Sequence, residues 1–258
     1  MRTEAEVASV LALGQRGLGA SEIAKLTGIS RSTVRDWLRG RLPHVARDDT
    51  TRGCCPRCGS PEHDFASPPP TYPYLLGIYL GDGSVSLHRR SVARLRVFLD
   101  AGYPQIIEET RLAIADLLPG SKVHIAGKAS RFTESEELTT TIVSAYSKTW
   151  VCWLPQHGPG MKHERAIELV DWQRDAVEKA PELFLRGLIH SDGCRFMNTG
   201  TNWRNPRYSF SNKSDDIRSI FIWACDLLGL HTTTAPRTVY VSRKADVAEL
   251  DRFIGPKR

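Results

Sequence analysis

The sequence predicts an α+β protein in which a small all-α domain precedes two related units of alternating helices and strands. Two observations predict this organisation. Apolar residues recur at helical spacing over residues 4–39, whereas helical and strand-like patterns alternate from Tyr74 onward. A nine-residue segment that ends in Asp-Gly also occurs twice, which indicates an internal repeat.

The composition is that of a moderately basic chain that can bury a core. Its 258 residues are 41% hydrophobic, with 20 Gly and 15 Pro, which excludes collagen-like and wholly disordered classes, and the formal net charge is +6. Since no run approaches the roughly 20 consecutive apolar residues of a membrane span, we expect no membrane association. The first residues include no apolar signal segment, so we expect a cytoplasmic location.

Changes of composition along the chain indicate the domain boundaries. The stretch after the first helices is rich in Arg, Asp, Pro and Gly, and Pro68, Pro69 and Pro70 follow one another in it. Successive prolines predict an extended, semi-rigid spacer. The expected segments are a helical domain, a linker and two repeats, over residues 1–43, 44–73, 74–165 and 166–258.

The first domain has the pattern of a helix-turn-helix unit. Its first helix is predicted to bury the apolar residues Val7, Val10, Leu11 and Leu13. Ser21 and Ser30 are predicted to cap the second and third helices, and Gly28 to form the turn between them. The segment from Ala20 to Leu38 resembles the DNA-binding trihelical domains of resolvases, transposases and many bacterial regulators.

In such a unit the third helix enters the major groove. The resemblance therefore implies that its exposed polar residues bind DNA, and these are Arg31, Ser32, Thr33, Arg35 and Arg39. The alternative is a helical hairpin with a solvated basic face. A turn glycine, two capped helices and a basic face occur together, and this combination favours DNA binding.

A cysteine cluster in the linker has the spacing of a zinc site. Cys55, Cys58 and His63 offer three ligands of a tetrahedral centre, and Gly59 can adopt the positive φ of a knuckle turn. Candidates for the fourth ligand are a residue far along the chain or the nearby Cys54, Asp64 and His44. A bound ion would be structural, because the segment connects domains. The alternative is a loop whose thiols bind no metal.

The internal repeat contains the residues expected to carry the chemistry. Its copies, LLGIYLGDG over residues 75–83 and LRGLIHSDG over residues 185–193, each predict an apolar helix that ends at Asp-Gly. A carboxylate in the last turn of a helix opposes the helix dipole and costs up to about 1 kcal/mol. One such aspartate is compatible with a simple Asp-Gly cap, but two in register need a further explanation.

Side-by-side packing of the two helices explains the repeated aspartates. Gly77 and Gly187 would allow close approach of the backbones and bring Asp82 and Asp192 together. Neighbouring carboxylates raise one another's pKa unless a cation lies between them. Because carboxylate and carbonyl oxygens suit Mg²⁺, a magnesium site is the expected arrangement. The alternative is an Asp-Gly cap on two unrelated helices.

Both segments resemble the LAGLIDADG motif of homing endonucleases and related intein nucleases. The elements predicted after the motifs agree with this resemblance. The predicted strands lie over residues 94–99, 122–126, 138–144, 194–197 and 208–211, and further strands extend to residue 241. The predicted helices lie over residues 103–118, 215–228 and 245–254, and one more runs through residue 150. The resemblance covers residues 74–255 and implies two αββαββα repeats in a pseudo-twofold monomer. Its two sheets would form a saddle that holds DNA.

The resemblance also implies the site. Asp82 and Asp192 match the metal-binding acids of the family, and with the main-chain oxygens of Gly81 and Ser191 they would hold two or three Mg²⁺ ions. Such ions activate water and stabilise the leaving oxygen in phosphodiester hydrolysis. The earlier acid of the motif is replaced by another residue in both copies, Leu80 and His190, at a position that is not a metal ligand in the family.

A basic residue near the metal, at the end of the last strand of each repeat, is a further feature of the family. Lys148 and Lys244 occupy comparable places and would neutralise the charge of the transition state. The alternative is that these lysines contact phosphates or solvent.

These features predict a bacterial, nucleoid-associated monomer that binds double-stranded DNA sequence-specifically and cleaves it with Mg²⁺. A second hypothesis is a transcriptional regulator whose LAGLIDADG-derived domain no longer cleaves. Retention of both aspartates favours the nuclease, because an inactive site would be able to lose an unfavourable acid at a helix end. A third hypothesis, an adaptor with a purely structural aspartate pair, leaves the basic helix-turn-helix unexplained.

Overall fold

The computed structural model describes residues 4–42, 55–61, 63–129, 138–255 and 257. The chain divides into two compact units, residues 1–55 and 56–258. This division falls inside the cysteine motif, so the prolines of the expected linker belong to the second unit. Within the described ranges, no helix has the length and apolar character needed to cross a membrane.

The described part of the first unit contains three helices, α1 (Glu4–Gln15), α2 (Ala20–Thr27) and α3 (Arg31–Leu38). Their small core is made by Val7, Val10, Ile23, Ile29, Val34 and Trp37. Gly28 has a φ of 68° in the turn between α2 and α3, a conformation that favours glycine. The hydroxyl of Ser30 accepts a hydrogen bond from the backbone N–H of Thr33 and caps α3 as expected.

The start of α2 differs from the expectation. Gly19, not Ser21, is the N-cap, and Ser21 lies within the helix. The backbone N–H of Gly19 donates to the Glu22 carboxylate at 3.0 Å, so the acid in the first turn satisfies the helix terminus.

The second unit begins with an αββαββα repeat. Its elements are α4 (Tyr72–Asp82), β1 (Gly83–Leu87), β2 (Ala93–Asp100), α5 (Pro104–Leu117), β3 (Val123–Ala129), β4 (Leu138–Ser147) and α6 (Trp150–Trp153). The four strands form an antiparallel sheet in the order β1-β2-β4-β3. Alternate residues of β2 are buried, so one face of the sheet covers the core and the other is open.

The second repeat follows one extra helix, α7 (Asp171–Lys179). Its elements are α8 (Pro181–Asp192), β5 (Gly193–Thr199), β6 (Arg204–Ser211), α9 (Asp215–Leu227), β7 (Thr232–Ala235), β8 (Thr238–Val241) and α10 (Lys244–Phe253). The strand order, β5-β6-β8-β7, is that of the first sheet. The predicted fold class, an all-α domain followed by two pseudo-symmetric αββαββα repeats, is therefore confirmed.

Two elements were not anticipated. Strand β1 has the sequence GSVSL and a mostly half-buried pattern, so it lacks the apolar alternation that identifies β2. Helix α7 is short and strongly polar, with its buried face limited to Gln173, Ala176 and Val177. Both elements are stabilised by their neighbours rather than by their own pattern.

Helices α4 and α8 lie against each other in the centre of the second unit. Every residue of α4 from Tyr72 to Leu80 is buried, as is typical of a helix enclosed on all sides. A Cβ at Gly77 would lie 2.5 Å from the carbonyl oxygen of Phe184 and 2.8 Å from the backbone nitrogen of Leu188. The two backbones are therefore in direct contact, and only glycine fits at this position.

Candidate active site

The ends of α4 and α8 bring two carboxylates together. Asp82 and Asp192 are the last residues of these helices, and both line one cavity of about 580 Å³. A Cβ at Gly81 would collide with the side chain of Ser191 and lie 3.2 Å from Oδ2 of Asp192, so the glycine makes room for both residues of the other repeat. The close packing of the helices thus produces the paired acids.

The glycine after each aspartate allows the chain to leave the helix directly as a strand. Gly83 and Gly193 have extended backbone angles rather than left-handed ones. A Cβ at these positions would lie 2.6 Å from the Cα of Tyr79 and of Ile189, respectively. Close contact with the preceding turn, and not a positive φ, is the reason for Asp-Gly in both copies.

Burial of the two carboxylates perturbs their ionisation. Burial, reinforced by the charge of Asp192, raises the pKa of Asp82 to about 7, although Lys162 and Lys257 oppose the shift. Burial also raises the pKa of Asp192, but Asn212 opposes it by donating a hydrogen bond from Nδ2 to Oδ2 at 2.6 Å. The two acids therefore have unequal environments, and only one of them has an amide donor.

Lys162 reaches the acid pair from the segment that follows α6. Its ammonium group donates to the carbonyl oxygens of Leu80 and Gly81, both at 2.9 Å, and also to that of Tyr79. These are carbonyls of the last turn of α4, where the helix dipole favours a cation. Burial lowers the pKa of Lys162 to about 8, although both aspartates raise it.

Lys257 has the corresponding position in the second repeat. Its ammonium group donates to the carbonyl oxygen of Ser191 at 3.3 Å, at the end of α8. Burial lowers the pKa of Lys257, while Asp82 and Asp192 raise it. Each helix end therefore combines one carboxylate with one ammonium group.

The oxygen donors at the helix ends have the chemistry of a site for a hard divalent cation. Two carboxylates and the carbonyls of Gly81 and Ser191 are the type of ligand that Mg²⁺ takes. Both carbonyls accept hydrogen bonds from lysine ammonium groups in the structure. The residues thus fit a metal ion by chemistry, and they are already engaged by internal cations.

The structure does not bring the lysines expected from sequence to this cavity. Lys148 lies in the turn after β4 and Lys244 is the first residue of α10, and neither is among the described residues that line the cavity. Sequence reasoning missed Lys162, which lines the cavity, and Lys257, which contacts the end of α8. A signal was present, because both lysines closely follow a Gly-Pro pair at the end of a repeat.

His190, at the earlier acid position of the second motif, has a packing role. Its ring is within hydrogen-bond distance of the Tyr74 hydroxyl, at 3.1 Å, and of the Ile254 carbonyl oxygen, at 3.0 Å. Burial lowers the pKa of His190 to about 4, so the ring is neutral near pH 7. Leu80 is fully buried at the matching position of α4.

The open faces of the two sheets carry basic and aromatic side chains. Arg94 and Arg96 alternate with the buried residues of β2, and the guanidinium of Arg94 lies 5.0 Å from the ring centre of Tyr146. Arg207 on β6 lies 4.5 Å from the ring centre of Tyr240. The alternating pattern of β2 could have identified the first two arginines from sequence.

On α3, the residues predicted to contact DNA are largely accessible. Arg31, Ser32 and Arg35 are exposed, and Thr33 is partly buried, where its hydroxyl is 2.7 Å from that of Ser30. Arg39 is also exposed but lies at the C-cap, one helix length from Arg31. The basic face predicted from sequence is therefore present at the start of the helix.

The cysteine motif gains a fourth potential ligand from α6. Ligand atoms of Cys55, Cys58, His63 and Cys152 all lie within 4.8 Å of one another, and Cys58 Sγ is 3.3 Å from His63 Nε2. Burial lowers the pKa of His63, which favours the neutral ring that a metal requires. Gly59 has a φ of 66°. Three thiols and one imidazole suit tetrahedral zinc.

This geometry bears on the open question of the fourth ligand. Cys152 is a residue far along the chain, one of the possibilities that the spacing left open. Asp64 is not a member of the group. The other two candidates, Cys54 and His44, lie outside the described residues.

Comparisons with known proteins give results for both units. A family model described as a homeodomain-like domain matches residues 1–40. Among solved structures, the chain is similar to the N-terminal LAGLIDADG domain of WhiA, with 17% identity, coverage of 76% of this chain and 88% of that chain, and a TM-score of 0.45. No relative was found among curated protein sequences.

Two DNA-bound structures show a similar degree of likeness. The homing endonuclease I-WcaI, bound to its DNA recognition sequence, is 12% identical over 73% of this chain and 81% of that chain, with a TM-score of 0.46. The LAGLIDADG meganuclease I-AabMI, bound to uncleaved DNA, is 11% identical over 72% and 85%, with a TM-score of 0.41. The structural neighbours are LAGLIDADG proteins, and both repeats of this chain have the αββαββα order that the motifs implied.

Proposed function

We propose that the chain is a sequence-specific double-stranded DNA-binding protein that hydrolyses phosphodiester bonds in a divalent-metal-dependent reaction. The pairing of Asp82 and Asp192 in one cavity is the observation that carries this proposal. Both acids are placed at helix ends where they are unfavourable in the absence of a cation. A divalent ion, when bound, would activate water and stabilise the leaving oxygen.

Each residue of the site has a defined task in the proposed reaction. Asp82 and Asp192, with the carbonyl oxygens of Gly81 and Ser191, are the residues that would hold the metal. Asn212 orients Asp192 through its 2.6 Å hydrogen bond. The glycine contact between α4 and α8 fixes the separation of the two acids.

Two surfaces are proposed to bind DNA. On the first unit, Arg31 and Arg35 at the start of α3 would reach base edges or phosphates. On the second, Arg94, Arg96 and Arg207 on the open sheet faces would contact the duplex. Because one chain contains both repeats, we propose that it acts as a monomer. A DNA-binding role would place it with the nucleoid, in the cytoplasm of a bacterium.

A structural zinc ion forms part of the same proposal. The group of Cys55, Cys58, His63 and Cys152 supports it, because its ligand atoms lie within 4.8 Å of one another. A zinc ion there would join the cysteine motif to α6.

The proposed activity is tested with a randomised duplex library and Mg²⁺, scored for both binding and cleavage. Asp82→Asn and Asp192→Asn are expected to abolish cleavage and to leave DNA affinity nearly unchanged, because phosphate contacts dominate binding. Asp175→Asn, on the exposed face of α7, is the matched control and should cleave normally. If either active-site variant cleaves at the wild-type rate, the assignment of the site is incorrect.

A second candidate function is a DNA-binding regulator that does not cleave. The engagement of the Gly81 and Ser191 carbonyls by lysines favours it, because these oxygens would otherwise bind a metal. The library experiment separates the two functions: selective binding without cleavage, at every divalent-ion concentration tested, would identify the regulator.

A further inference from the structure

We infer that Lys162 and Lys257 act as internal cations that compete with divalent metal for the oxygen ligands of the acid pair. Their positive charge, held against the same carbonyl oxygens, then weakens the binding of a divalent ion. This inference rests on the proposed function, because it assigns a regulation to the same metal site. It concerns the occupancy of the site rather than a step of the reaction.

Lys162 is in direct contact with an expected metal ligand. Its ammonium group contacts three successive carbonyls at the end of α4, including that of Gly81, an expected metal ligand. It also lies 5.0 Å from the ring centre of Tyr79, which adds a cation–π contact. A carbonyl oxygen that accepts from an ammonium group 2.9 Å away leaves a metal only its second lone pair, and a divalent ion bound there would be repelled by the nearby positive charge.

The segment around Lys162 is held in place by hydrogen bonds. The backbone N–H of Met161 donates to the Glu164 carboxylate at 3.0 Å. The guanidinium of Arg165 donates to the carbonyl oxygens of Gln156, at 3.1 Å, and Gly160, at 2.9 Å. The lysine therefore extends from a fixed turn, and not from a solvated surface loop.

The two lysines have matching positions in the two repeats. Lys257 follows α10 as Lys162 follows α6, and it contacts Ser191, the second expected main-chain ligand. The segment before it is anchored by Arg186, which donates to the carbonyl oxygens of Phe253 and Ile254. Two ammonium groups thus act on the two carboxylates from the two helix ends in the absence of any metal.

The two lysines should make the metal affinity of the wild type weaker than that of the same oxygen ligands without nearby ammonium groups. Loss of one lysine frees carbonyl oxygens and removes a positive charge that repels the ion. It also leaves two carboxylates with one ammonium group instead of two when no metal is present, which destabilises the fold. Metal should then restore the lost stability, because it binds the folded state.

The test uses the full chain and Mn²⁺ as the probe, with free Mn²⁺ measured by electron paramagnetic resonance. Lys162→Met is expected to bind Mn²⁺ at least tenfold more tightly than the wild type, and Lys257→Met should shift in the same direction. Lys122→Met changes an exposed lysine outside the cavity and should leave the affinity unchanged. The double variant Asp82→Asn, Lys162→Met should lose the tight site, which shows that the added affinity arises at the acid pair.

Thermal unfolding gives an independent readout. Without metal, Lys162→Met should unfold at a lower temperature than the wild type, and Mn²⁺ should raise its Tm by more than it raises that of the wild type. If Lys162→Met does not fold, Lys162→Gln keeps a hydrogen-bond donor while removing the charge, and the same tightening is expected from it.

The possible failures can be told apart. Equal Mn²⁺ affinity in the wild type and in Lys162→Met, abolished by Asp82→Asn, would overturn the competition and leave the proposed metal site intact. Absence of Mn²⁺ binding at Asp82 in all lysine variants would overturn the competition together with the metal-dependent function.

Discussion

At the scale of single residues, Asn212 gives the two carboxylates of the cavity different hydrogen-bond environments. Its side chain donates to Asp192, while its own Oδ1 accepts from the backbone N–H of Ser214 at 2.8 Å. The amide is therefore held in one orientation. Asp82 lies at the equivalent helix end, where Lys162 and Lys257 are the cations that act on it.

Gly77 is the residue whose substitution should be least tolerated in α4. The Cβ of alanine would lie 2.5 Å from the Phe184 carbonyl oxygen, so the two helices would have to separate. Gly77→Ala is expected to reduce the free energy of unfolding by about 2–3 kcal/mol, as overpacking of a core does. Urea unfolding followed by circular dichroism measures this change.

The matched control is Gly102→Ala, in the exposed turn between β2 and α5. Its added Cβ would meet only the flexible side chain of Asp100, at 3.2 Å. The expected change is within about 0.5 kcal/mol. An equally small effect of Gly77→Ala would show that the backbones of α4 and α8 are not in contact.

The part of the site that could be predicted from sequence is the part that occurs in both copies of the repeated motif. Asp82 and Asp192 stand in two matching motifs, and the motif glycines indicate how the acids meet. Lys162 and Lys257 share only a preceding Gly-Pro pair, and they reach the helix ends from segments distant in the chain. Their role depends on tertiary contacts, which local periodicity does not encode.

At the scale of elements, aromatic contacts hold the end of the cysteine motif against α6 and α7. Phe65 stacks on Trp172 with ring centres 4.6 Å apart, and His63 lies 5.4 Å from Trp153. His63 and Phe65, which lie within the expected linker, are therefore packed on aromatic side chains of the second unit. Composition predicted a spacer here, but it did not predict these aromatic contacts.

If Cys152 on α6 is a zinc ligand, its substitution should change both the zinc content and the stability of the cysteine motif. Protein purified without chelator should contain about one zinc per chain, as a single closed tetrahedral site requires. Cys152→Ser should lower this stoichiometry and make residues 56–70 sensitive to protease, because the binding energy of the ion is folding energy. Elemental analysis and limited proteolysis measure the two effects.

Cys194→Ser is the control for this experiment, because Cys194 is exposed on β5 and is not a member of the group. It should change neither zinc content nor proteolysis. A wild-type protein without zinc, in which the thiols are shown to be reduced, would contradict the zinc proposal.

At the scale of the whole molecule, the two repeats are joined by an ion pair as well as by their apolar core. Arg186 on α8 donates two hydrogen bonds to Glu109 on α5, at 2.7 and 2.9 Å. The same guanidinium contacts the carbonyls at the end of α10. Polar as well as apolar contacts therefore join the repeats of the second unit, and the helix-turn-helix unit adds a separate proposed surface for DNA.

The last prediction concerns the contribution of that first unit to binding by the full chain. Arg31→Ala combined with Arg35→Ala removes two charges from the exposed face of α3. If both side chains contact phosphates, the slope of log affinity against log salt should become shallower by about 2, because each contact releases roughly one counterion. Fluorescence anisotropy with a labelled duplex at several salt concentrations gives this slope.

The matched control removes the same charge from residues of the same unit outside α3. Arg16→Ala combined with Lys25→Ala changes two exposed cations outside α3. This variant should keep the wild-type slope to within about half a counterion, since distant charges act only through the screened general field. Equal slopes for the α3 variant and this control would remove α3 from the DNA-binding surface, and the sheet arginines would then have to account for the affinity alone.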